Sequence, residues 1–195
     1  MRTLYLVRHA TPAIHPETPA RDWTLSERGV TEAQALAGRA EGWGIEAVYS
    51  SSEAKARATA LVIGDALGLP VHVVAAFDEL RMPEWISNAD EFNEAVRTVL
   101  TGANDAHIPL LEPLLDSRHA ERASIAAGRF AEGVGIVEQA ALPAAIVSHG
   151  RILTAFLTQL CGIEEPFEFW RSIPMPGWTS VDLDAPANRA PTFMS

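Results

Sequence analysis

A single cysteine, Cys161, occurs among 195 residues, so the chain can form no internal disulfide and does not read as a disulfide-stapled secreted fold. Positive charge is also scarce: 15 Lys and Arg stand against 25 Asp and Glu, a formal net charge of −10. That balance argues against non-specific nucleic-acid binding, and any anionic ligand must be captured by a local cluster of Arg, Lys and His against the overall field. No apolar run approaches the roughly 18 residues needed to cross a bilayer. Even "AALPAAIVSHG" is broken by proline and ends polar. The first residues read as a strand, without the basic, apolar and small-residue regions of a signal peptide. A soluble protein in a reduced, cytoplasmic setting is therefore expected. Internal repeats and linkers are absent too, and with 48% apolar and 21% charged residues the chain reads as one globular domain over residues 1–195.

What is present is an alternation of strand and helix patterns. Residues 3–7, 47–51 and 71–74 are short apolar runs rich in strand formers, and "PAAIVSHG" makes a fourth around Val147. Between the first two, Ala33, Leu36, Ala37, Ala40 and Trp43 recur at helical spacing before Gly44. Residues 53–67 repeat the pattern through Ala54, Ala58, Leu61 and Val62, with Ser52 as the expected N-cap and Gly68 as the stop. Such alternation implies a parallel sheet. It lapses over about 77–140, which carries two helical patterns and the proline-rich "HIPLLEPLLDS". The first pattern, capped by Asn88 with Glu91 three residues on, uses Phe92, Val96, Val99 and Leu100. The second uses Ala123, Ala127, Phe130, Val134 and Val137, with Gly128, Gly133 and Gly135 weakening it. This stretch reads as a helical insertion. The rhythm resumes with a strand, a tight turn at His149 and Gly150, and a helix stopped by Gly162. "WTSVDLD" offers a last strand, and the tail after Asp184 is expected to be loose. The expected fold class is α/β, a three-layer α/β/α sandwich with a mostly parallel central sheet and a helical insertion.

Three places in this scheme share one geometry. Arg8 and His9 end strand one, Lys55 opens the helix after strand two, and His149 ends the later strand before its helix. In a parallel sheet such places converge on one edge, which Glu79, just after strand three, also reaches. Two histidines, two cations, a carboxylate and helix N-termini with free N–H groups are what phosphate chemistry needs.

In "LVRHATP", "WTLSERGVTEAQALA", "YSSSEAKARATA", "FDELRMPEW" and "VSHG", in that order over residues 4–157, the chain resembles the histidine phosphatase (phosphoglycerate mutase-like) superfamily. The resemblance implies that His9 is the nucleophile and forms a phosphohistidine, while Arg8 and His149 grip the phosphoryl oxygens. Glu79 falls where the family has its proton donor, with Asp78 and Glu84 as neighbouring alternatives. The family's second phosphate-gripping arginine falls on Lys55, four residues before Thr59; either Lys55 serves as a point charge or Arg57 reaches in. His15 stands six residues after the nucleophile, where mutases carry a phosphate-contacting asparagine. What is implied is a metal-independent phosphomonoesterase without cofactors, acting on a small phosphorylated substrate or a phosphoprotein. The alternatives are mutase-type phosphoryl transfer and a phosphohistidine or phosphoprotein binding module with little turnover.

The remaining histidines, His72, His107 and His119, lack a motif and read as structural. A metal held by His9, His15, His149 and Glu79 is not expected: the spacings match no zinc signature, and Arg8 and Lys55 would repel a cation. Arg81, Arg118 and Arg122, in the insertion, are expected at the mouth of the pocket.

Overall fold

The computed structural model describes residues 2–82, 89–101, 121–185 and 191–195. Five strands, β1 (Thr3–Arg8), β2 (Ala47–Ser50), β3 (Val71–Val73), β4 (Ala144–Ser148) and β5 (Gly177–Asp182), form one sheet in the order β3-β2-β4-β1-β5. Every pairing is parallel except that of β5, which runs antiparallel to β1. The described α-helices are α1 (Glu27–Ala40), α2 (Ala54–Leu67), α3 (Ala89–Thr101), α4 (Ala123–Ala140), α5 (Gly150–Cys161) and α6 (Pro166–Ser172), with short 3-10 turns at Ala20–Asp22, Glu41–Trp43 and Ala75–Phe77.

Alternation along the strands builds two cores. Leu4, Leu6, Ala144, Ile146 and Tyr49 point to one face, where Phe130 of α4, Leu153 and Phe156 of α5, Val96 of α3 and Phe167 of α6 pack. Val7, Val48, Ala145 and Val147 point to the other, against Leu36 of α1 and Ala56, Ala60 and Ile63 of α2. The result is the expected three-layer α/β/α sandwich. The central strands carry apolar side chains on both faces, as a covered parallel sheet requires.

Local signals explain most boundaries. Ser26 caps α1, its Oγ accepting from the Gly29 N–H at 3.0 Å and donating to the Thr11 carbonyl at 3.0 Å. A Cβ on Gly29 would lie 2.0 Å from that carbonyl, so only glycine lets the loop after β1 lie on α1. Gly68 and Gly162 end α2 and α5 at φ 66° and 67°. Ser52, by contrast, is not the N-cap of α2. Glu53 holds that position, and the Ser52 hydroxyl donates instead to Asp78 Oδ2 at 2.7 Å. Nor do its three glycines end α4, which runs unbroken to Ala140. Gly133 is there because a Cβ would meet the Phe77 ring at 2.6 Å. Helices α3 and α4 both fall between β3 and β4, where the insertion is expected; the proposed cap Asn88 lies outside the described residues. Within the tail, Met194 exchanges both backbone hydrogen bonds with Trp178 at 2.8 Å.

Candidate active site

Strand register assembles the site. Arg8 is paired with Ser148 across β1 and β4, so the next residues on the two chains, His9 and His149, emerge side by side. Their ring centroids are 5.1 Å apart, and the His9 N–H donates to the Ser148 carbonyl at 3.0 Å. On the other side of β4, β2 delivers Ser51, whose N–H donates to the Val147 carbonyl at 3.0 Å. All of this lies at the carboxyl edge of the sheet, where open α/β folds build their sites.

His9 is buried, and its Nδ1 lies 2.8 Å from the Ala10 carbonyl. A carbonyl only accepts, so Nδ1 carries the proton and Nε2 keeps a free lone pair. The loop is pinned by the Ala10 N–H, which donates to Thr59 Oγ1 at 3.1 Å; that hydroxyl donates to the Lys55 carbonyl at 2.9 Å. Burial, His149, Lys55 and Arg8 push the His9 pKa well below its ordinary 6.5, against the Ala10 carbonyl, which pulls it up. The imidazole is therefore neutral near neutral pH.

Arg8 donates one Nη1–H to the Ile173 carbonyl at 2.6 Å, and among the described residues its buried Nε has no partner. Lys55 is 7% exposed, whereas Arg57 is exposed on α2. The Lys55 ammonium donates to Glu53 Oε2 at 2.5 Å and to the Ala20 carbonyl at 2.8 Å. Glu53 also accepts the Glu79 N–H at 3.0 Å and stands 3.9 Å from His149 Nε2.

Glu79 reaches the same edge but not as a free acid. Its Oε1 accepts the N–H of Leu80 at 2.8 Å and of Ile152 at 2.9 Å, and its Oε2 lies 3.2 Å from Arg151 Nε. Burial pushes the carboxyl upward, but Arg151, His149 and these two N–H groups outweigh it and hold it at about 2. The first turn of α5, expected to offer free N–H groups to an anion, is thus capped by Glu79. The carboxylate that lies closest to those N–H groups along the fold takes them first.

Arg151, Glu53 and Ser51 were not singled out from sequence, though Ser51 and Glu53 lie within "YSSSEAKARATA" and Arg151 directly follows "VSHG". A more distant support is wholly non-local. Arg129 of α4 donates to the carbonyls of Ala76 at 2.8 Å and Asp78 at 3.1 Å and pairs with buried Glu121 at 2.8 Å, fixing the segment that carries Asp78 and Glu79. His15 and Arg81 are exposed. His72 is exposed with its ring 5.2 Å from Tyr49. Glu84, His107, Arg118 and His119 lie outside the described residues. Among the described residues, no group of three His, Cys, Asp or Glu is placed to hold a metal ion, and no helix is long and apolar enough to cross a membrane.

A histidine pair thus sits at the carboxyl edge of a covered, mostly parallel sheet, with Arg8, Lys55 and Glu79 around it. The chain matches the histidine phosphatase superfamily (branch 1) over residues 4–191 and belongs to it. No curated protein sequence matches significantly. Solved structures share the fold. A mycobacterial glucosyl-3-phosphoglycerate phosphatase complexed with VO3 is 19% identical, TM-score 0.72, over 100% of this chain and 97% of that one. A phosphoserine phosphatase from Entamoeba histolytica, complexed with phosphoserine, is 18% identical, TM-score 0.69, over 100% and 96%. YhfR from Bacillus stearothermophilus is 21% identical, TM-score 0.70, over 98% and 94%.

Proposed function

We propose that this protein hydrolyses small phosphomonoesters in two steps through a phosphohistidine on His9. The observation that carries the reading is the Nδ1 to Ala10 carbonyl hydrogen bond, which leaves Nε2 unprotonated and next to His149, Arg8 and Lys55. In the first step Nε2 attacks phosphorus, the P–O bond to the leaving group breaks, and the departing oxygen takes a proton from Glu79. In the second, a water oxygen attacks phosphorus and the N–P bond breaks while Glu79, now a carboxylate, takes the water's proton; phosphate leaves and His9 is regenerated. Arg8 and Lys55 supply the positive charge that the equatorial oxygens need.

Glu79 is ionised at rest, so it must gain a proton before it can give one. An arriving phosphoryl anion places negative charge beside the carboxylate and competes for Arg151, and both effects raise its proton affinity. The substrates named for the structural relatives, glucosyl-3-phosphoglycerate and phosphoserine, support a small phosphomonoester rather than naming one. A second reading, a phosphate-binding module with little turnover, is favoured by one observation: Glu79 and Lys55 are both held by internal partners.

One experiment separates the two. Phosphate release is followed against phosphosugars, nucleotides, phosphoserine and a phosphohistidine protein, with EDTA present. Multiple turnovers on at least one substrate, lost in His9→Ala, support the hydrolase. Tight binding of phosphate with no turnover on any of them sinks it and leaves the binding module.

A further inference from the structure

Behind His149 runs a chain of hydrogen bonds that ends in a carboxylate. Its Nε2 lies 2.8 Å from Ser51 Oγ, and Ser51 Oγ donates to Asp78 Oδ1 at 2.9 Å. The same Oδ1 accepts the Ser52 N–H at 2.6 Å, and Oδ2 accepts the Ser52 hydroxyl at 2.7 Å. Asp78 is the acceptor in each of these contacts, so the Ser51 hydroxyl hydrogen points to it. The serine oxygen is then left with its lone pairs, one of which takes the Glu53 N–H at 3.1 Å. The other faces Nε2. The imidazole must therefore carry its proton on Nε2, and Nδ1 is a lone pair. His149 is 0% exposed, and among the described residues Nδ1 has no hydrogen-bond partner. A buried ring nitrogen without a partner, 5.1 Å by ring centroid from the nucleophile, is the atom left for a ligand.

We propose that Asp78 and Ser51 are positioning residues for His149, holding it as the Nε2–H tautomer so that Nδ1 accepts a hydrogen bond from a monoprotonated phosphoryl group. The inference rests on the phosphatase reading above and refines it by naming the ionic form of the substrate. An imidazole presenting a lone pair repels a fully ionised phosphoryl oxygen but accepts from P–O–H. The bond involves no proton transfer, and the leaving-group proton remains the task of Glu79.

The charged and titratable groups that face His149 come from every packed element. His9 follows β1; Glu53 and Lys55 lie at the start of α2; Asp78 and Glu79 follow β3; and Arg151 opens α5. Burial first, then Lys55 and Arg151, lower the His149 pKa, while Glu79 and Asp78 oppose them, and the balance sits at about 3. The ring is thus neutral around neutral pH.

Two readouts on the full chain test this. Histidine ring ¹⁵N shifts of the free protein report the tautomer without any substrate. The expected result is Nε2–H for His149 across neutral pH, lost in Ser51→Ala and kept in Ser51→Thr, which retains the hydroxyl. A resting Nδ1–H tautomer or a charged ring overturns the proposal, whether or not the protein turns over. The second readout is kcat/KM against pH for two aryl phosphates that differ in second pKa. The alkaline limb should move with the substrate's pKa, and Ser51→Ala should cost about 10- to 100-fold, as when a metal-ligating histidine loses its orienting partner. An alkaline limb fixed at one pH for both substrates overturns the monoanion. If neither aryl phosphate is hydrolysed, the phosphatase reading fails while the tautomer still decides the positioning role. Inorganic phosphate then serves as the probe, and its affinity should fall as its own second proton is lost; affinity that rises instead overturns the monoanion.

Discussion

The guanidinium of Arg151 and the carboxylate of Glu79 form an ion pair at 3.2 Å in which both side chains are mostly shielded, and the Arg151 and Ile152 N–H groups point at the same carboxylate. Glu79 therefore does two jobs that pull in opposite directions. As a cap on α5 it is stabilised when ionised; as a leaving-group acid it must be protonated. The ion pair sets the balance between them, and that balance is open to mutation.

Replacing Arg151 with Met removes the cation but leaves the N–H groups of Leu80 and Ile152 in place. The Glu79 carboxyl should then rise from about 2, because burial is no longer outweighed by a neighbouring positive charge. With an alkyl phosphate, whose leaving group needs the proton, the pH optimum of kcat should move up by about one unit or more. An optimum that stays put would mean that backbone N–H groups alone set the acidity of Glu79.

The strand and helix periods and the stops at Gly68 and Gly162 are local, and they were legible because each rests on neighbouring residues. His9 and His149 were legible as well, since a polar residue ending an apolar run in a parallel sheet has one edge to go to. What sequence order hid was pairing across the edge. Glu79 capping α5 and Arg129 clamping the carbonyls of Ala76 and Asp78 join residues whose separation carries no period or motif. The misplaced cap on α2 has the same origin: Ser52 has a second suitor, Asp78, 26 residues away.

Lys55 and Arg57 lie two residues apart on α2 but on different sides of it, one buried in the site and one in solvent. Lys55→Ala should leave Glu53 as a shielded, unpaired carboxylate beside Glu79, costing about 3 kcal/mol of stability and lowering kcat/KM by about 100-fold. Arg57→Ala, as a surface change, should stay within about 0.5 kcal/mol of wild type and keep its activity. Denaturant midpoints and kinetics on the two variants check this. A larger loss in Arg57→Ala would show that the exposed arginine, not Lys55, grips the phosphate.

Acid should destabilise the fold earlier than carboxylates alone predict. In the unfolded chain His9 and His149 bind protons around their ordinary 6.5, whereas in the fold both are pushed down, His149 to about 3. Below pH 6.5 the unfolded state therefore holds more protons, and stability falls with pH by up to about 1.4 kcal/mol per unit for each histidine. Glu79, depressed to about 2 from 4.5, adds a further loss below pH 4.5. Urea unfolding at pH 7, 6 and 5 measures the slope, and His149→Gln should remove about half of it. A flat profile between pH 7 and 5 would mean that the two rings are charged in the fold.

Glu79→Gln separates the two halves of the proposed cycle. Glutamine keeps the length and the acceptor oxygen that caps α5, so the N–H groups of Leu80 and Ile152 retain a partner, but it has no proton to give and no base to offer. Alkyl phosphates, which need their leaving oxygen protonated, should lose turnover by about 100- to 10,000-fold. An activated aryl phosphate, whose leaving group departs as the anion, should still phosphorylate His9 at close to the wild-type rate. Water would then meet the N–P bond with no carboxylate to activate it, and the second step should become rate-limiting. The expected signature is a burst of the aryl alcohol equal to one per site, followed by slow release, with acid-labile phosphate trapped on His9. Mass spectrometry at neutral pH would find the added phosphoryl group, and His9→Ala would lack it. If the variant slows alkyl and aryl substrates by the same factor and traps nothing, Glu79 serves α5 alone. The acid must then be sought elsewhere, with Glu53, 3.9 Å from His149, as the next carboxylate to change.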